Sequence, residues 1–426
     1  MKNLIIIILI LFANSISAQS LSDIYKKATV KLIPDKEYAQ NNDWEKVFET
    51  YYDTINGSLI ENKKSIILMP NGSLIVNHTN RNFYSMFDPA GKFVREFGIN
   101  KSGQQMKKAE NISGIMNNTF FTEVDNLGKM VGFDFDGNYV KTLTLNYSVR
   151  DMISLPDNKI AVVGWATWTT KTRDFIAIVD YNTNEQKIIW EHFTERTERN
   201  SLFYYPYKFK NGGGSFTIAT MPYTQYSPPL ISYVKNRLIV TLPDSGEILV
   251  YNTNGTLISK DKVGWATKYL SVEDQKEILK RVIERYKTEN IEINPVFLIG
   301  VDRNSIIEEY NNAIKGIIKQ MENNLNRITD PIPIPAFMTI IKDSDDNLLF
   351  FEMPEERGVN KFNVWVYNDA GKFLCQSSFV CDEYNLSITP SKMVFHNGYI
   401  YGLQKVKNAD GNPLRLVRFK ISMIDD

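Results

Sequence analysis

The chain has 426 residues, 43% hydrophobic and 23% charged, values that exclude a disordered protein and suit one large β domain or about two or three ordinary ones. Its 49 basic and 49 acidic residues cancel, which argues against a broad electrostatic footprint for nucleic acid or anionic lipid. With two cysteines, the fold must be held by core burial rather than by disulfide staples.

The N-terminus carries an address. Met1-Lys2-Asn3 is a short basic start, Leu4–Ala13 an apolar run, and Ser15-Ile16-Ser17-Ala18 a stretch of small residues. This is the layout of a signal peptide spanning 1–18, and its apolar run is too short to span a bilayer. No second long apolar run follows. The expectation is an exported protein, periplasmic or extracellular, soluble after signal-peptide removal, with no membrane span.

Residues 65–97 read as four short strands, Ser65–Met69, Ser73–His78, Phe83–Asp88 and Phe93–Phe97. The joints, among them Asn71-Gly72 and Pro89-Ala90-Gly91, supply the positive φ angles of tight hairpins. The same phrase then recurs: apolar strand, turn, apolar strand, a "MFD" or "VYN" triplet, a glycine turn and a last strand. Met86-Phe87-Asp88 is matched by Phe133-Asp134-Phe135-Asp136, Val250-Tyr251-Asn252 and Val366-Tyr367-Asn368. Six such units are legible, the sixth with three strands. A four-stranded meander cannot bury both faces alone, so the units must stack on one another. This periodicity predicts an all-β protein: a six-bladed β-propeller of four-stranded antiparallel blades, occupying 19–426 as a single domain. Ala28–Pro34 is the candidate for the strand missing from the sixth unit, which would seal the ring and remove exposed edges. The pentapeptide VGWAT occurs at Val163–Thr167 and Val263–Thr267 but in different strand positions, so it is not a duplication.

Two insertions interrupt the rhythm. One, at about 191–229, is rich in aromatic residues around Gly212-Gly213-Gly214; no Lys-Ser/Thr follows, so it is not a phosphate loop. The other, at about 269–325, switches to helical spacing. Ser271 and Asp274 form a capping start, and Ile278, Leu279, Val282, Ile283 and Tyr286 recur at three and four. A second helix is predicted over Ser305–Leu325.

"GSLIVNHTNRNFYSMFDPAGKFVREFG", "DNLLFFEM…VWVYNDAGKFL" and "HNGYIYGL" resemble exported six-bladed β-propeller proteins with NHL-like repeats from bacteria of the Bacteroidota type. The resemblance covers about residues 60–420. It implies a fold and an envelope location; it brings no catalytic residue set.

Chemistry-bearing motifs are scarce. The three histidines, His78, His192 and His396, show no metal-ligand spacing, and no nucleophile elbow is present. Asp343-Ser344-Asp345-Asp346-Asn347 resembles a calcium loop but lacks the glycine and distal glutamate of an EF-hand; a β-turn explains it more simply. Cys375 and Cys381, on one continuous strand, would lie about 20 Å apart, beyond disulfide reach unless the chain turns between them. No metal or cofactor is expected. The aromatic residues are the positive signal: Trp165, Trp168, Tyr204, Tyr205, Tyr207, Tyr223 and Tyr226 are candidate partner contacts, since rigid aromatic faces bind peptides or sugars at low entropic cost. The alternative is that they pack inward. The functional expectation is a non-catalytic binding or scaffold protein of the cell envelope, contacting a protein or glycan partner through its insertions. A hydrolase or lyase acting on a sugar or lactone at the mouth of a central channel is the alternative. It requires carboxylates, Asn and His to converge there.

Overall fold

A computed structural model describes residues 20–48, 66–78, 83–97, 112–124, 128–167, 171–195, 203–210, 215–219, 228–265, 268–288, 303–352, 361–386, 393–407 and 413–423. Residues 1–18, the expected signal peptide, lie outside the described residues. The chain opens with α1 (Leu21–Tyr25), β1 (Thr29–Pro34) and α2 (Trp44–Val47). Meanders follow. The first is β2 (Ile66–Leu68), β3 (Leu74–His78), β4 (Phe83–Phe87) and β5 (Phe93–Phe97); the second is β6 (Ile112–Met116), β7 (Thr119–Val124), β8 (Lys129–Phe133) and β9 (Tyr139–Thr144). The third is β10 (Ser148–Leu155), β11 (Lys159–Thr167), β12 (Lys171–Asp180) and β13 (Gln186–Glu195). A hairpin, β14 (Tyr204–Lys208) and β15 (Ser215–Ala219), precedes the fourth meander, β16 (Leu230–Val234), β17 (Arg237–Leu242), β18 (Glu247–Asn252) and β19 (Leu257–Lys262). Then come β20 (Lys268–Leu270), α3 (Val272–Thr288), α4 (Arg303–Leu325) and β21 (Ile332–Ile334). The fifth meander is β22 (Phe337–Lys342), β23 (Leu348–Glu352), β24 (Lys361–Tyr367) and β25 (Phe373–Val380). The chain ends with β26 (Tyr384–Asn385), β27 (Met393–His396), β28 (Tyr399–Val406) and β29 (Leu414–Met423).

Period-two alternation explains how the sheets stack, because successive side chains point to opposite faces. On β3, Leu74 and Val76 enter the core shared with β28 and β29, whereas Ile75 enters the core shared with the second meander. On β11, Ile160 and Val162 face the second meander and Ala161 and Val163 the fourth. On β23, Leu348 and Phe350 face the fourth meander and Leu349 and Phe351 the last one. The opening strands touch in order: β2 on β6, β6 on β10, β10 on β16, β16 on β22, β22 on β27, and β27 back on β2. Each fully buried Leu, Ile, Val or Phe in these cores contributes about 1.5–3 kcal/mol.

Turn chemistry repeats with the strands. Between the third and fourth strands of the first five meanders, Asp88, Asp134, Asp180, Asn252 and Asn368 each accept two backbone N–H groups on Oδ1. These Asx turns are why the "MFD" and "VYN" triplets recur.

The last meander has no such turn, because its outer strand comes from the other end of the chain. β1 pairs antiparallel with β29, Val30 opposite Met423 through Pro34 opposite Phe419. The expected closing strand is therefore in place. One feature was not legible: β1 also pairs in parallel with β25, Thr29 opposite Ser378, which fuses the last two meanders into one nine-stranded sheet. Neighbouring contacts extend the seal. Arg418 binds Asp35 through Nε at 3.0 Å and through Nη2, with its guanidinium between the rings of Tyr38 and Tyr399 at 4.7 and 4.6 Å. Asn42 donates to the Gly91 carbonyl at 2.7 Å and accepts the Phe93 N–H at 2.7 Å, stitching the N-terminal segment to the first meander. Gly91 has φ +78°, and a Cβ there would stand 2.6 Å from the Tyr38 ring, so both turn and contact require glycine.

The Asp343–Asn347 loop serves the same closure. Asp343 Oδ1 accepts the N–H groups of Asp345 and Asn347, Asp345 Oδ2 accepts the Leu21 N–H at 2.8 Å, and Asn347 Oδ1 accepts from Ser22 Oγ at 3.1 Å. Its oxygens hold backbone and α1, as the β-turn reading requires. Cys375 on β25 and Cys381 just beyond it are free thiols.

Candidate functional site

The two insertions form one body. α3 starts with the expected cap: Ser271 Oγ accepts the Asp274 N–H at 3.0 Å and donates to Asp274 Oδ2 at 2.7 Å. The apolar stripes of α3 and α4 supply Leu279, Ile283, Ile314, Ile317 and Met321 to a core that Phe203, Tyr205 and Ile218 of the hairpin segment complete. The helices leave the fourth and fifth meanders on a two-stranded stem, β20 paired with β21, Lys268 opposite Ile334 and Leu270 opposite Ile332. Buried Gln275 ties both ends of the insertion by donating to the carbonyls of Leu270 at 3.0 Å and Asp330 at 2.9 Å.

The stem is anchored through Glu352 at the end of β23. Its carboxylate meets Lys268 Nζ at 2.9 Å, Trp365 Nε1 at 2.5 Å, Asn363 Nδ2 at 3.2 Å and Gln376 Nε2 at 3.3 Å. Burial alone would raise its pKa; the donors, Lys268 foremost, outweigh burial and hold it below the usual glutamate range.

The predicted aromatic contacts divide. Tyr205 is buried in the shared core, its hydroxyl accepting from Asn324 Nδ2 at 3.0 Å. Phe203 and Phe209 are buried with it. Tyr207 is half-buried; its hydroxyl donates to Glu309 Oε1 at 3.1 Å, and the same oxygen accepts the Lys210 N–H at 2.7 Å. Trp165 is half-buried on β11, far along the chain from the appendage, with the Arg150 guanidinium 5.1 Å from its ring. Arg150 also lies 3.6 Å from the buried Asp174 carboxylate. The Tyr204 side chain, Trp168, Tyr223 and Tyr226 lie outside the described residues.

The catalytic alternative requires carboxylates, Asn and His to converge at one position, and the opening strands of the meanders are the elements that pack against one another in sequence. Among their described residues, Asp151 on β10 is the one carboxylate and His396 on β27 the one histidine, on different sheets. His192 is exposed and stacks beside Trp190 on β13; the His78 side chain lies outside the described residues. Asp151 follows a bulge on β10, and burial pushes its carboxyl up to about 7, against a bond from the Met152 N–H. The native state therefore holds a proton there that the unfolded chain releases near pH 4, and stability from this group is lost as pH rises from about 4 through 7. Asp151→Asn is expected to leave urea stability unchanged at pH 4 and to raise it by about 2 kcal/mol at pH 8, a figure discounted for partial solvent contact. Equal gains at both pH values would contradict this assignment.

Sequence reasoning missed two things here: the union of the insertions, and the α4 face opposite Tyr207. The second had a signal, since Asn312, Gly316 and Gln320 fall at i, i+4 and i+8 on one helical face.

No family model matches the chain, and no curated protein sequence matches it. Among solved structures, it is similar to a member of the DUF4221 family from Bacteroides vulgatus, at 13% identity over 94% of this chain and 100% of that one, TM-score 0.47. It is also similar to a protein described as exported from Bacteroides fragilis, at 10% identity over 96% and 98%, TM-score 0.47. Virginiamycin B lyase from Staphylococcus aureus follows at 12% identity over 85% and 95%, TM-score 0.38. No helix among the described residues is long and apolar enough to cross a membrane.

Proposed function

We propose that this protein is an exported six-bladed β-propeller that acts as a non-catalytic binding scaffold of the cell envelope, with the hairpin and helix pair as its partner-contacting surface. In this reading residues 1–18 are removed on export. The meanders are the blades, with β1 completing the sixth, and the circuit of opening strands supports their closure into a ring. One observation carries the functional reading: two insertions separated by a whole meander fold into a single core on a stem of their own. Building such a body costs chain entropy, and its core shares no buried residue with the inter-sheet cores, which is the pattern of a displayed contact surface on a rigid support. The partner is a protein or glycan of the envelope, and Tyr207 and Trp165 remain its candidate aromatic contacts.

The test removes the surface and keeps the support. Leu270 and Ile332 are directly paired, so an Asn-Gly turn can replace 271–331, with 203–219 replaced by a Gly/Ser linker. The variant is expected to stay folded and exported and to lose the partners captured by the intact protein in the envelope. Undiminished capture would refute the assignment.

A further inference from the structure

Between the hairpin and α4 lies an open groove of about 510 Å³, whose lining combines aromatic and amide side chains with the charges of Lys210, Glu308 and Glu309. One wall is the Tyr207 ring, with Pro206 beside it; the floor is the α4 face of Asn312, Gly316 and Gln320. Glu309 fixes the wall in advance by accepting the Tyr207 hydroxyl and the Lys210 N–H. Gly316 is the telling residue. It sits inside a 23-residue helix, where glycine is a poor helix former, and a Cβ built there would meet nothing within 4 Å. The protein's own packing therefore does not require glycine, and the bare backbone leaves room for an object to lie close against the helix.

The lining indicates what that object is. An aromatic face offers an apolar platform, and side-chain amides present a donor and an acceptor in one plane, the pattern that pairs with adjacent hydroxyls. The face from Glu308 to Gln320 runs for about 18 Å, room for a short chain rather than a single small molecule. We infer that this groove binds a linear, neutral oligosaccharide, stacked on Tyr207 and hydrogen-bonded by Asn312 and Gln320 across Gly316. The inference rests on the appendage being the contact surface and specifies its ligand as a glycan.

Calorimetric titration of the full chain with cellotetraose, maltotetraose and chitotetraose tests it. Saturable binding of at least one is expected, weakened roughly tenfold or more in Gly316→Leu. That variant fills the groove while improving helix propensity, so its melting temperature should be unchanged or higher. Asn312→Ala should weaken binding with the fold intact. Failure of all three sugars to bind, or wild-type binding by Gly316→Leu, overturns the inference. If the sugars fail while the appendage still captures an envelope protein, the glycan assignment falls and the scaffold reading stands; if both fail, both fall.

Discussion

Replacing Val30 and Leu32 together by aspartate is expected to abolish cooperative folding. Both side chains are fully buried in the core between the last two meanders, on the strand that pairs the N-terminal segment with β25 and β29. An uncompensated buried charge costs about 3–5 kcal/mol, and a domain's whole stability is about 5–15 kcal/mol, so the pair removes most or all of it. The loss should propagate, because β1 covers the outer edges of β25 and β29 at once. Lys31, between them, points outward to Asp382 at 2.9 Å with both side chains solvated, and Lys31→Glu should leave cooperative folding intact. Urea unfolding followed by circular dichroism separates the cases. A folded double variant would show that the sheets hold their circuit without the closing strand.

The second large effect concerns the appendage. Leu279 is fully buried in the core shared by α3, α4 and the hairpin, and Leu279→Ala should cost that unit about 2–5 kcal/mol. Because the unit stands on a two-stranded stem, the cost should stay local. Hydrogen exchange read by mass spectrometry is expected to show α3, α4 and β14–β15 losing protection together, with the meanders unchanged. Loss confined to α3, with the hairpin still protected, would mean that the insertions are independent.

Much of this architecture was legible in the sequence because its causes are local. Strand alternation, Gly and Asx turns and the Ser271 cap each act within a few residues, so the meanders and both helices fall close to where spacing puts them. The closing role of Ala28–Pro34 could be inferred by counting strands, since a three-stranded last unit leaves an edge to fill. What stayed hidden depends on contacts between distant segments. The aromatic run Phe203–Phe209 carries no mark that says whether it faces solvent or α4, and the structure sends Phe203, Tyr205 and Phe209 inward while leaving Tyr207 at the groove. The parallel pairing of β1 with β25 and the docking of α1 on the Asp343–Asn347 turn likewise join positions more than 300 residues apart. Asp151 gives no sequence signal at all: its raised pKa comes from burial at a bulge, and a bulge is a property of the paired strands.

The most direct test of the scaffold account is a crosslink map of the intact, tagged protein in its native envelope. The appendage offers reactive amines at Lys210, Lys280, Lys315 and Lys319, while Lys92, Lys129 and Lys262 report on the meanders. The account predicts intermolecular crosslinks concentrated on the first group with a defined partner. Crosslinks spread over the meanders, with the appendage lysines silent, would contradict it.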